Sequence, residues 1–482
     1  MVVDNESLAR GAFAAAVRRA FGLPHEGGDD GLPPPEADVA KAVALLCRWG
    51  LAETSGGRIV PAPGVDAPAL APFVPLLDRF RAHLVEVQLS DCPLHFFAGF
   101  AEAAPAGGGA GERIVTGGQG MDRARAALAC LGEMAERLSL LSRGTADTLV
   151  FDGAFRALPD LPAGAFLRFS ARQEAELCGR FPVLAAVAGQ GRIDWNALSP
   201  RRIELCSLSG GRRAMTPALG ILLGEQRTFG LDALGLASTS GAAVWTDAAE
   251  ATRRAVLELA ERDAAGAWWY NRLGISAIPG PLAEGMLPNI CAAFLRERPR
   301  ITRFLALPTD LDVHVLAAIA HDANGRAGAL GVAAAASAPR ALLSAVTEML
   351  QCELSLDLSA RALARSGASG QPLPPMLAYS GTTDIRADLR LDAAPRADLA
   401  ALERDFGPGA LEEGLAAKGI EVWLADCSRA DIGLSCVKAV SAQLCDWRAR
   451  FAPGRLYDLP VALGLREAPG EEGDFALRPF PF

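Results

Sequence analysis

At 482 residues the chain exceeds one ordinary compact domain, and its length suggests two to four units of typical size. Half the residues are apolar and 21% are charged, a balance that fills a core and excludes a largely disordered protein. The net charge of −9, from 56 acidic and 47 basic residues with no long run of either sign, argues against nucleic acid as a ligand, because phosphate binding needs a concentrated basic surface.

Residues 1 to about 60 read as a small separate unit. An amphipathic helix from Glu6 to Phe21 leads through the turn-rich Gly27 to Pro35 into a second helix, Glu36 to Gly50. Gly56-Gly57-Arg58-Ile59-Val60 then predicts a turn and a short strand. Helix, glycine stop and wing outline a winged helix, which could be a structural or docking fragment, a leader-peptide reader or a DNA binder. Its acidic balance disfavours the last of these. The Pro- and Ala-rich 61–78 segment predicts an extended linker, and Ala101 to Gly111 an exposed loop after the strand His95 to Phe100.

Further along, helical periodicity covers Asp122 to Leu141, Ala248 to Trp268, Leu282 to Glu297 and Pro339 to Cys352. Strand-like runs include Arg202 to Ser207, Thr302 to Ala306, Val313 to Ala318 and Gly419 to Ala425. Helices and strands mix without strict alternation, so the expected fold class is α+β, with a body over 79–482. The N-terminal residues are polar where a secretory signal would be apolar, and the longest greasy stretch, Ala327 to Ala338, is too short for a membrane span. The expectation is a cytoplasmic protein that uses no membrane. Ten cysteines without a Cys-x-x-Cys pair, and five histidines without His-x-x-x-His spacing, suggest reduced thiols and no zinc site.

One motif occurs twice. Glu133-Met134-Ala135-Glu136-Arg137 and Glu258-Leu259-Ala260-Glu261-Arg262 are both Glu-x-x-Glu-Arg, and each follows a small-residue loop, Gly117 to Gly120 and Ser238 to Gly241. Carboxylates three apart share a helix face, so each helix carries a paired acidic edge able to serve a hard divalent cation or simply to face solvent. On the first helix the apolar stripe runs through Ala127, Leu131, Met134 and Leu138. Glu133 and Glu136 lie opposite, with Ala126 and Ala129 leaving room for a ligand. Spacing alone does not name that ligand.

From about residue 80 to the C-terminus the chain resembles the YcaO family. GGQGMDRARAALACLGEMAERLSLL is similar to its glycine-rich loop and first acidic helix, and STSGAAVWTDAAEATRRAVLELAERDAAGAWWYNRL to its second. FSARQEAEL (169–177), CSLSGGRRAMTPA (206–218), PTDLDVHVLAA (308–318), ADCSRADIGL (425–434) and APGRLYDLPVALG (452–464) follow in the family's order. The resemblance implies ATP- and Mg2+-dependent activation of a peptide amide, with Glu133, Glu136, Glu258 and Glu261 as magnesium acids. Arg137 and Arg262 follow as phosphate contacts, and Glu250 and Glu348 as nucleotide-site acids. It further implies cyclodehydration of Cys, Ser or Thr in a ribosomal precursor peptide to azoline rings. The partners it implies are a leader-peptide-binding or TfuA-like protein, with a flavin dehydrogenase in the pathway, and it allows a homodimer.

Several positions depart from the family pattern. Gln119 replaces a lysine, Ala129 and Ala243 replace serines, Thr246 replaces an asparagine, and Ser344 replaces an arginine. Two lost charged contacts to phosphate, at about 1.5–3 kcal/mol each, would weaken nucleotide binding by two or more orders of magnitude. The alternatives are therefore a non-catalytic scaffold with a degenerate ATP site, or backbone thioamidation with a TfuA-like partner. The C-terminus, with Pro479, Pro481 and Phe482, resembles the catalytic proline-rich tail of the peptide-cyclising branch, here shortened and aromatic.

Overall fold

The computed structural model describes residues 8–21, 34–103, 112–152, 158–366, 373–393 and 395–482. The chain is a mixture of helices and sheets in two compact units. The first comprises Met1–Leu149, Ala242–Thr252 and Asp426–Val437; the second comprises Val150–Gly241, Arg253–Ala425 and Lys438–Phe482.

In the first unit, helices Ala12–Phe21 and Glu36–Arg48 bury Phe13, Val17, Val39 and Leu46. Gly50, at φ +72°, stops the second helix, as its position suggests. Ala52–Ser55 and Arg58–Pro61 then pair antiparallel across Gly56 and Gly57. The turn-rich segment 22–33 lies outside the described residues, as does the stretch 104–111 within the expected loop.

The 61–78 segment is not the extended linker expected. It forms the short helices Ala67–Leu70, Ala71–Phe73 and Val74–Arg79, and Leu70, Leu76 and Leu77 are buried. Pro72 and Pro75 stand in first turns, where a missing N–H breaks no helical bond. Asp78 accepts the backbone N–H groups of Phe13 (3.0 Å) and Ala14 (3.2 Å), tying this segment to the first helix.

His83–Val87, His95–Ala103 and Glu112–Gly120 form a three-stranded antiparallel sheet beneath the helix Arg123–Leu140. Gly117 to Gly120 is thus the end of a strand rather than a loop. A Cβ on Gly118 would stand 2.3 Å from the Cys130 nitrogen and 2.4 Å from the Ala126 oxygen, so glycine is what lets the helix backbone lie on the strand. The room expected beside Ala126 is therefore filled by this strand, whereas Ala129 is exposed. The stripe Ala127, Leu131, Met134 and Leu138 is buried as its period requires.

In the second unit, Ala277–Ile278, Ile301–Ala306, His314–His321 and Ala329–Ala335 form an antiparallel sheet packed by the long helix Ala338–Ser366. Gly331 plays the part of Gly118 here, because its Cβ would meet the Ala345 oxygen at 2.1 Å. The expected helix from Leu282 to Glu297 is two helices, Gly280–Met286 and Asn289–Glu297. Pro288 forces the preceding Leu287 into extended geometry (φ −94°, ψ 154°) and divides them. Arg213–Pro217, Arg201–Ser207 and Trp423–Asp426 pair in that order, so the strand expected from Gly419 begins later, at Trp423. Among the described residues the cysteines form no disulfide, and no helix is long and apolar enough to cross a membrane.

Candidate functional site

The second acidic helix, Ala248–Asn271, presents Glu258, Glu261 and Arg262 within a little more than one turn. Arg262 bonds both acids, reaching Glu258 Oε1 at 2.7 Å through Nη2 and Glu261 Oε1 through Nη1. The other Glu261 oxygen accepts the backbone N–H of Ala334 at 3.0 Å, which seats the helix on the strand Ala329–Ala335. Glu348, from the helix Ala338–Ser366, accepts the neighbouring N–H of Val332 and joins the same electrostatic cluster.

Three carboxyls around one guanidinium carry more negative charge than the arginine offsets. Burial pushes Glu258 up in spite of Arg262 and Lys438. Burial and the nearby Glu258 charge push Glu261 up to about 7. Burial, Glu261 and Glu258 drive Glu348 well above the usual carboxylate range. Arg262 also keeps a buried Nε–H with no partner among the described residues. Among the described residues no three His, Cys, Asp or Glu donors already stand in metal-holding geometry, since these acids are turned onto Arg262 and backbone N–H groups. Crowded carboxyls beside a guanidinium with a stranded donor nevertheless match the chemistry of a hard cation carrying phosphate.

In the first unit, Glu133 accepts the Gly117 N–H at 2.9 Å and Arg137 at 2.7 and 3.0 Å. Glu136 lies half-buried one turn on, and Gln119 sits in the strand opposite Phe96. Thr246 is exposed just before the second acidic helix, and Glu250 lies in its first turn, its N–H donated to Asp247 at 2.9 Å. Ala243 is buried in the strand Ala242–Trp245, and Ser344 is exposed on its helix.

Within the second unit, the tail that carries Pro479, Pro481 and Phe482 is packed rather than free. Arg478 pairs with Asp388 at 2.6 Å and donates to the Trp269 oxygen at 2.8 Å, while the Trp269 indole N–H returns a bond to the Arg478 oxygen at 3.0 Å. Phe482 meets Trp269 and Tyr379 edge-on. Phe480 stacks on Trp447 at 4.6 Å, and the Arg262 guanidinium lies 3.4 Å from the centre of that same indole. Trp447 has no place among the residues expected from the sequence. Its one signal there is the alternating aromatic and cationic run Trp447-Arg448-Ala449-Arg450-Phe451.

A family model described as YcaO cyclodehydratase, ATP- and Mg2+-binding, matches residues 117–445. The chain belongs to the YcaO family. No curated protein matches it. Solved structures share the fold at low identity. A heterocyclase in complex with substrate and cofactor has a TM-score of 0.68 at 21% identity over 91% of this chain. This chain spans 60% of that heterocyclase. YcaO from Methanopyrus kandleri bound with AMPPCP and Mg2+ gives 0.51 at 17% identity, over 75% of this chain and 85% of that one. The E. coli microcin synthetase McbBCD complex gives 0.54 at 13%, over 83% and 96%, and is also known with pro-MccB17 bound. ATP and Mg2+ are accordingly the cofactors of this YcaO family.

Proposed function

We propose that this YcaO chain is a cyclodehydratase that closes Cys, Ser or Thr side chains of a ribosomally made peptide onto backbone amides, giving azoline rings. The observation that carries the reading is the cluster of Glu258, Glu261 and Glu348 around Arg262, whose Nε–H is buried and stranded. An amide oxygen is a poor leaving group, and ATP supplies the phosphoryl group that makes it a good one. Glu258 and Glu261 hold Mg2+, their crowding relieved by the cation. Arg262 meets phosphate oxygens with a planar donor set suited to them. Glu348 serves the rest of the nucleotide, and in the first unit Glu250, Thr246 and Gln119 are the positions that the family resemblance assigns to nucleotide binding. By the same resemblance, Glu133 and Glu136 of the first unit are magnesium acids and Arg137 a phosphate contact. The tail residues Pro479, Pro481 and Phe482 act close to the chemistry.

The McbBCD complex is known with a peptide and partner subunits, which supports a precursor peptide and a leader-binding partner for this chain. The test is calorimetry with ATP and Mg2+, then mass spectrometry of the precursor peptide after incubation. Loss of one water per modified residue is expected, together with loss of nucleotide binding in Glu258→Gln. Exchange of oxygen for sulfur would instead mean thioamidation. Absence of nucleotide binding even with peptide and partner present would leave a scaffold, the reading that Gln119 and Ser344 favour.

A further inference from the structure

A cavity of about 50 Å³ lies beside Arg262 in the second unit, where segment 438–450 passes Arg168 and the loop at Ser238 and Ser240. One water needs about 10–15 Å³ of such room, so the cavity admits a group of about three to five heavy atoms. Five cationic side chains line it, namely Arg168, Arg262, Lys438, Arg448 and Arg450, against one acid, Asp446.

Part of that positive charge is answered by nearby acids, Lys438 acting on Glu258, and Asp263 and Asp446 acting on Arg168. Asp446 is already bonded to Arg448 at 2.8 Å, and Arg262 is shared between Glu258 and Glu261. Some of the cluster's bonds run to main-chain oxygens: Lys438 to Ser238 (2.7 Å), Arg450 to Gly235 (2.8 Å) and Arg168 to Ala442. A carbonyl satisfies an N–H but does not neutralise a cation. Among the described residues, the buried Nε–H groups of Arg168, Arg262 and Arg450 have no partner. Burial, with the charge of Arg448 beside it, pushes Arg450 down to about 9. A cavity lined by five cationic side chains and one acid is stabilised when an anion with several acceptor oxygens enters it.

We propose that this cavity is an oxyanion subsite for a phosphate-sized tetrahedral anion, held by Arg168, Lys438, Arg448 and Arg450. It supplies cationic contacts that Ser344, in the same unit, does not. The proposal rests on the cyclodehydratase reading only for the source of the anion, either the terminal phosphoryl group of the nucleotide or released phosphate.

The test titrates inorganic phosphate into the full chain by calorimetry, without nucleotide and then with AMPPCP or ADP and Mg2+. Saturable one-to-one binding, competed by sulfate, is expected. It should weaken about tenfold or more in Arg450→Gln and in Lys438→Gln, and less in Arg450→Lys. The ligand-free Arg450→Gln protein should melt no lower than the wild type, because it buries one charge fewer. Exclusion of phosphate by AMPPCP supports the nucleotide's phosphoryl as the source, and binding alongside ADP supports released phosphate. No saturable binding to the wild type, or equal binding in both neutral variants, overturns the subsite. Phosphate binding without any ATP turnover overturns the cyclodehydratase reading and leaves the subsite standing.

Discussion

The Arg262 guanidinium lies 3.4 Å from the centre of the Trp447 indole. Phe480 is stacked on the same ring at 4.6 Å and 18°, and two groups that close cannot share one face, so Trp447 is held between them. The C-terminal tail is thereby one aromatic ring away from the arginine that gathers Glu258 and Glu261.

Replacing Trp447 by Leu keeps apolar bulk but removes the ring face. A desolvated cation–π contact contributes about 1–2 kcal/mol, so ATP·Mg2+ affinity should fall about five- to thirtyfold. Phe480→Ala should cause a smaller loss in the same direction by loosening the indole from behind. Calorimetry on both variants checks this, and unchanged affinity in Trp447→Leu would reduce Trp447 to a packing residue for the tail.

Glu261 titrates at about 7 in the folded chain against an ordinary value of 4.5, so the folded state holds its proton over that range and the unfolded state does not. Its contribution to ligand-free stability is complete below about pH 4.5 and is lost as pH rises through about 7, at up to about 1.4 kcal/mol per pH unit for one proton. Glu261→Gln should flatten this slope. Urea unfolding at several pH values across that window measures it.

Asp147 and Arg429 form a buried two-point pair in the first unit, at 2.9 and 3.0 Å, with side chains 0% and 2% exposed. Burial pushes the Asp147 carboxyl up, but Arg429 and the Arg143 and Leu149 N–H groups outweigh it and leave the value below 3.8. The pair therefore stabilises fully above about pH 4, and the contribution is lost as pH falls through the depressed value. Asp147→Asn strands Arg429 and should cost about 3–5 kcal/mol at neutral pH while making the acid transition shallower. Denaturant midpoints at neutral and acid pH test both parts.

Gly118→Ala would place a methyl group against the backbone of Cys130 and Ala126. Since backbone rather than a flexible side chain must yield, a loss of about 1–3 kcal/mol or more is expected, read as a lower melting temperature. Gly132→Ala, on the same helix, has open space around it and should not lower the melting temperature.

How much of this was legible follows from the range of each interaction. Glu258, Glu261 and Arg262 lie within five residues on one helix, so their meeting follows from helical period alone, and so does the burial of Ala127, Leu131, Met134 and Leu138. Gly50 as a helix stop and Gly56-Gly57 as a hairpin turn were readable for the same reason, being local backbone requirements. Gly117 to Gly120 reads as a loop because small residues usually mark one. The helix pressing on Gly118 is what makes those residues a strand. Proline content made 61–78 look extended, while the burial of Leu70, Leu76 and Leu77 made it helical.

By itself, then, the sequence determined the mixed fold class, the two acidic helices and the family, because these rest on short-range periodicity and ordered motifs. Tertiary structure alone decided that Glu348 joins Glu258 and Glu261, that Ala334 and Val332 give the acids their backbone donors, and that Trp447 stands between Arg262 and Phe480. Those partners are separated by tens to hundreds of residues, and only the packing of strand, helix and tail brings their charges and rings within reach.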